Sequence, residues 1–145
     1  MKQEMKLEID SIPSNEAFAR VVVAAFLTRL NPTMEEIADI KTAVSEAVTN
    51  AIIHGYQNEV HKIEIGAQVE KDLLIVSVKD FGVGIENIEQ AMEPMFTTRK
   101  DLERSGMGFV FMEAFMDSIE VKSQAGQGTK VIMTKRIGRR YGRDF

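Results

Sequence analysis

Apolar and charged positions alternate through MKLEIDSI, Met5–Ile12, with Leu7 and Ile9 on one side, which predicts a strand. The spacing changes at Pro13 and Ser14. Phe18, Val21, Val22 and Ala25 then recur at helical intervals and predict a helix with those four residues inward. Val23, Ala24 and Phe26 lie off that stripe, giving the helix a second apolar side that suits either an interface or a place inside one core. NPT, Asn31–Thr33, breaks the chain, and Thr33 with Glu36 forms the capping-box pattern that starts a second helix. Its stripe is Ile37, Ile40, Val44, Ala47, Val48 and Ala51, and Gly55 is placed to end it.

Two strand-like runs follow, HKIEIGAQVE (His61–Glu70) and LLIVSVKD (Leu73–Asp80), predicting a hairpin that turns at Lys71–Asp72. Residues 85–105 are polar and irregular. GMGFVFMEAFMD opens a short helix at Gly108, and SIEVKSQ and TKVIMTKR predict a last hairpin around Ala125–Gly128. The order is strand, helix, helix, hairpin, long loop, helix, hairpin. Hairpins favour antiparallel pairing, so the expected fold is α+β: a two-layer α/β sandwich with a mostly antiparallel, mixed sheet and helices on one face. A length of 145 residues fits one domain, expected over 1–136, with a flexible basic tail at 137–145.

Composition narrows the function classes. A net charge of −4 argues against binding nucleic acid over a broad surface. The chain has no cysteine, which excludes disulfides, thiolate catalysis and cysteine-bound zinc. No apolar run approaches the ~20 residues of a membrane span, and the charged, alternating N-terminus does not read as a signal peptide. A cytoplasmic protein with no membrane partner is expected.

Four stretches carry candidate chemistry. In SEAVTNAIIHGY, Ser45–Tyr56, the polar residues Glu46, Asn50 and His54 are spaced by four. Each step of four drifts by roughly 40° around a helix, so they form a slowly turning stripe. On a simple wheel Glu46 lies nearly opposite the apolar stripe, on open surface, and His54 lies near its edge. Glutamate and asparagine offer oxygens to a hard cation, and glutamate can take a proton from a hydroxyl. The same pattern also suits an ordinary solvated face. DFGVG, Asp80–Gly84, follows an apolar strand directly. It allows a close backbone approach to a ligand, or simply a tight turn.

In TTRKDLERSGMGFVF, Thr97–Phe111, Gly106 and Gly108 precede a helix, where free N–H groups can receive phosphate. Thr97, Thr98, Arg99, Lys100 and Arg104 add donors and positive charge. Neither the P-loop pattern nor the dinucleotide-binding fingerprint is matched. A mobile surface loop is the plainer reading. GQGT places Thr129 at the start of the last strand.

Taken together and in order, E-x-x-x-N-x-x-x-H, D-x-G-x-G, G-x-G and G-x-G-T resemble the ATP-binding (Bergerat-type) fold of DNA gyrase, 90-kDa chaperones, histidine kinases and mismatch-repair ATPases. Within it, the chain resembles the bacterial anti-sigma serine kinases, whose sporulation and stress-response members share these motifs. The sporulation branch matches more closely.

That resemblance implies ATP and Mg²⁺ as cofactors. It implies Glu46 as the general base toward a serine hydroxyl and Asn50 as the Mg²⁺ ligand. Asp80 would accept the adenine amine, with Gly82 and Gly84 making room and Thr129 supporting Asp80 or a bridging water. Residues 97–108 would form a lid, Gly106 and Gly108 contacting phosphate and Arg99, Lys100 or Arg104 neutralising the γ-phosphate. The implied partners are a sigma factor, an anti-anti-sigma protein phosphorylated on serine, and a second copy of the chain in a homodimer, with no direct nucleic-acid contact. Arg20 is a candidate partner contact. His54 would either position the lid or be a satisfied histidine near the core. A module that binds ATP and sigma factor without catalysis is the alternative reading, and a histidine-kinase catalytic domain is a third.

Overall fold

A computed structural model describes residues 2–88, Met92 and residues 108–138. The elements run β1 (Lys2–Asp10), α1 (Ser14–Leu27), a 3₁₀ turn (Thr28–Leu30), α2 (Met34–Asn50) and a π-turn (Ala51–Gly55). They continue with β2 (Lys62–Glu70), β3 (Leu73–Asp80), α3 (Gly108–Phe115), β4 (Ser118–Gln124) and β5 (Gly128–Arg136). The expected order is therefore observed.

The five strands form one sheet in the order β1-β2-β3-β5-β4. Every described pairing is antiparallel, so the sheet is not mixed. The reason lies in the connections. Both hairpins reverse the chain, and the long connection from β3 carries it through α3 to edge strand β4. β5 then returns antiparallel between β4 and β3.

Alternation places Ile63, Ile65, Ala67 and Val69 of β2 and Leu74, Val76 and Val78 of β3 in the core. The helices cover them. α2 packs along α1 on one side and α3 on the other, which makes it the central helix of the layer. Its start is fixed by the expected capping box. The Glu36 N–H donates to the Thr33 hydroxyl at 3.0 Å, and the Thr33 N–H donates to the Glu36 carboxylate at 2.8 Å. Ile40, Ala43, Val44, Ala47 and Val48 are its buried residues, each large one contributing about 1.5–3 kcal/mol of apolar transfer.

α1 sits in a different rotation from the one its spacing suggests. Ala19, Val23, Phe26 and Leu27 are buried, whereas Phe18 and Val21 are 50% and 56% exposed. VVVAAFL is apolar nearly all round, so periodicity leaves the rotation open and packing against α2 and the sheet decides it. Val23 and Phe26 of the second side face the core, as a helix packed inside one core requires, while Phe18, Val21 and Ala25 of the expected stripe are exposed.

At the other end of the chain, packing passes the expected boundary at 136. Ile137 is buried, its N–H donates to the Asp72 carbonyl at 2.8 Å, and the Gly138 N–H reaches the Glu36 carboxylate at 3.0 Å. Among the described residues, no helix is long and apolar enough to cross a membrane.

Candidate functional site

The site begins where α2 ends. Helical geometry holds to Asn50 and then widens to a π-turn over Ala51–Gly55, closed by the Tyr56 N–H donating to the Ala51 carbonyl at 2.9 Å. Gly55 thus closes a π-turn rather than an α-helix. Glu46 and Asn50 stand one α-helical turn apart, while His54 is carried past them by the wider turn. All three are half-buried. Glu46 is not on open surface as the wheel implies, because α1 and α3 flank α2 on both sides.

The π-turn brings Gly55 against the end of β3. A Cβ on Gly55 would lie 2.7 Å from the Asp80 Cγ and Oδ2. A Cβ on Gly82 would lie 1.9 Å from the Gly55 carbonyl oxygen, so both positions must be glycine for the segments to touch. The Val83 N–H donates to that same carbonyl at 2.9 Å and locks the approach. Gly84 has φ +76° and packs on Gln124, where a Cβ would lie 2.2 Å from the carbonyl oxygen.

Asp80 is only 4% exposed. Its carboxylate accepts the Gly82 N–H at 2.9 Å and the backbone N–H of Thr129. Burial pushes its pKa up from the ordinary 3.8, and the two N–H groups partly oppose that. Thr129 lies directly across from Asp80 in the β3–β5 register and is buried. The resemblance ties Thr129 to Asp80, and the backbone supplies a direct link.

Three further residues complete the arrangement. The Tyr56 hydroxyl accepts the Phe81 N–H at 2.7 Å and donates to the Lys62 carbonyl at 2.5 Å, fixing the strand end beside Asp80. The Ser123 hydroxyl lies 2.7 Å from that of Thr129 and accepts the Ile85 N–H at 2.7 Å. Gly55 is the third. Sequence reasoning treats Gly55 as a helix stop and passes over Tyr56 and Ser123. The HGY step beside E-x-x-x-N could have signalled the first two, while nothing local marks Ser123.

Arg20 is not a bare surface cation. Its Nη1 donates to Glu16 at 3.0 Å and lies 3.4 Å from the Ser45 hydroxyl, so α1 touches α2 next to Glu46. Its side chain is 40% exposed. Gly108 opens α3 as expected. Thr97, Thr98, Arg99, Lys100, Arg104 and Gly106 lie outside the described residues, as does 139–145 of the basic tail.

The donor set limits the chemistry. A buried carboxylate at a strand end, held by backbone N–H donors, has lone pairs that can accept from a donor group such as an exocyclic amine. Glu46 and Asn50 bring a carboxylate and an amide to one helix face. Among the described residues, no cluster of three or more acidic or histidine side chains could hold a metal alone. Glu46 and Asn50 fit a magnesium ion that takes most of its ligands from phosphate oxygens and water.

Residues 11–135 match the histidine kinase-like ATPase domain family. The chain is 58% identical to the anti-sigma F factor of Clostridium beijerinckii over 92% of its length and 94% of that protein. It is 57% identical to the anti-sigma F factor of Clostridium acetobutylicum, covering 94% and 96% of the two chains. With the anti-sigma F factor of Oceanobacillus iheyensis it shares 54% identity over 96% of each.

Proposed function

Since this chain belongs to the histidine kinase-like ATPase family, within its anti-sigma F factor group, we propose that it is an ATP-binding anti-sigma factor and a protein serine kinase. It captures a sporulation sigma factor. It also transfers the γ-phosphoryl group of ATP to a serine of an anti-anti-sigma protein. The observation that carries the reading is the buried Asp80 carboxylate, set in a glycine cradle one π-turn beyond Glu46 and Asn50.

Asp80 accepts the adenine amine, and Gly82 and Gly84 let the backbone approach the base. Glu46 and Asn50 on α2 would serve the triphosphate end. Glu46 accepts the proton of the serine hydroxyl as its oxygen bonds to the γ-phosphorus. The bond from that phosphorus to the β-bridging oxygen breaks, and ADP leaves with the electron pair. Asn50, with Glu46 one helical turn away, would hold Mg²⁺. That ion, when bound, supplies positive charge to the phosphate oxygens. The basic loop residues Arg99, Lys100 and Arg104, with Thr97, Thr98, Gly106 and Gly108, supply phosphate contacts.

The partner surface is assigned to α1. Phe18 and Val21, three residues apart along the helix, form an exposed apolar pair. An exposed apolar pair suits a protein partner, with the half-exposed Arg20 on the side of the same helix that meets α2, and a second copy of the chain in a homodimer belongs to the same proposal. Because Arg20 also reaches Ser45, a partner on α1 adjoins the helix that carries Glu46.

Sedimentation of the chain with the cognate sigma factor tests the binding half. Complex formation should strengthen with Mg-ATP and weaken in Asp80→Asn and Arg20→Ala. A complex indifferent to nucleotide and to both substitutions would contradict the reading.

A further inference from the structure

Asp80, Thr129 and Ser123 form a row across three strands. Asp80 is opposite Thr129 in the β3–β5 register, and Thr129 is opposite Ser123 in the β4–β5 register. Directly opposed residues project from the same face of a sheet. Only the first two members of the row have a role in the nucleotide reading.

The hydroxyls of the row can be accounted for proton by proton. Each carries one hydrogen and two lone pairs. The Ser123 oxygen accepts the Ile85 N–H at 2.7 Å. Its own hydrogen has two possible acceptors, the Thr129 hydroxyl at 2.7 Å and the Gly128 carbonyl at 3.0 Å. If Ser123 donates to Gly128, Thr129 must donate back to Ser123, and its lone pairs are left for the base. If Ser123 donates to Thr129, the threonine hydrogen is left for the base. The Thr129 contact is the shorter of the two and has the usual hydroxyl–hydroxyl length, which favours donation there.

The base decides what that difference means. Adenine presents an amine donor beside a ring-nitrogen acceptor, and a 6-oxopurine presents an acceptor beside an N–H donor. An ionised Asp80 can only accept, so it serves the amine. The neighbouring hydroxyl serves the ring nitrogen, directly or through one water, only when it donates.

Resting on the assignment of Asp80 to the adenine amine, we propose that Ser123 is a specificity-positioning residue that sets Thr129 as a hydrogen-bond donor to the base edge. Its placement is built into the fold. Gly84 packs on the Gln124 carbonyl, and the Gly126 N–H donates to Val83 at 2.7 Å, so the segment after Asp80 is laid on the β4–β5 turn. That brings the Ile85 N–H to Ser123. One hydroxyl thus ties the loop leaving the base site to the polarity of the residue that reads the base.

The test is calorimetric titration of ATP and ITP, a 6-oxopurine triphosphate, into the wild type, Ser123→Ala, Ser123→Cys, Ser123→Thr and Asp80→Asn, with amide exchange read at Ile85. Ser123→Ala should weaken ATP roughly fivefold, the loss of one neutral hydrogen bond, while ITP changes little. The ATP-to-ITP preference falls accordingly, and the Ile85 amide exchanges faster. Ser123→Cys keeps the side chain's size with a poor donor and should lower the preference too, which covers an alanine variant that folds badly. Ser123→Thr should retain the preference. Equal weakening of both nucleotides, or an unchanged preference in Ala and Cys while Asp80→Asn loses it, would overturn the role of Ser123 and leave the adenine reading standing. An unchanged preference in Asp80→Asn would overturn both.

Discussion

Gly55 stands so close to Asp80 that a Cβ on the glycine would lie 2.7 Å from two atoms of the carboxylate group. The end of the α2 segment and the end of β3 are therefore one structural unit. The helix that carries Glu46 and Asn50 is thereby tied to the strand that carries Asp80.

Gly55→Ala should displace the Asp80 carboxylate and weaken ATP binding tenfold or more, on the order of a lost charge-assisted hydrogen bond. Gly126→Ala is the control. A Cβ there meets nothing within 4 Å, and only its φ of +81° opposes the change. That variant should cost about 1–2 kcal/mol of stability and leave nucleotide affinity near the wild-type value. Titration and thermal melts of the two side by side check the contrast.

Asp80 makes both stability and binding depend on pH, in opposite senses. Burial raises its folded-state pKa above the ordinary 3.8. The folded protein then holds its proton more tightly than the unfolded chain. The stability this contributes is full below 3.8 and is lost as pH rises through the raised folded value. Asp80→Asn should remove that slope, as denaturant melts across acidic to neutral pH would register. ATP affinity in the wild type should fall as pH drops through the same raised value, because a protonated carboxyl no longer serves an amine.

Tyr56→Phe tests the strap behind the site. The ring volume is kept, but the Phe81 N–H loses its acceptor and the Lys62 carbonyl its donor. A cost of about 1–3 kcal/mol is expected, with a fall of several degrees in melting temperature. ATP affinity should weaken as well, since Asp80 immediately precedes Phe81. A melt indistinguishable from wild type would show that water replaces the hydroxyl at no cost.

The order of elements, the hairpins, the capping box at Thr33 and Glu36, and the buried stripe of α2 are all legible in the sequence. Each rests on local chemistry or on a strong period. The rotation of α1 is not legible, because a helix that is apolar on every side has no preferred face until its neighbours are placed. The half-burial of Glu46 escapes a wheel diagram for a related reason. A wheel shows one helix, and two others flank this one. The motif residues Asp80, Gly82, Gly84 and Thr129 are brought together as the family resemblance implies. Tyr56 and Ser123 are hidden because their roles depend on tertiary packing, which joins them to partners 25 and 38 residues away. The expected phosphate contacts from Thr97 to Gly106 lie outside the described residues, so their assignment rests on the family motif alone.

The central claim is that Glu46 acts as a base in phosphoryl transfer to a protein serine. Intact-mass analysis of the anti-anti-sigma partner, incubated with Mg-ATP and either the wild type or Glu46→Gln, tests it most directly. Titration must first show that the variant still binds ATP. The wild type should add one phosphate to the partner, and the variant should do so at least 10²-fold more slowly, roughly the contribution of a general base. Transfer at the wild-type rate by Glu46→Gln, or no transfer by the wild type with ATP and sigma factor still bound, would contradict the account and leave an ATP-gated binding protein.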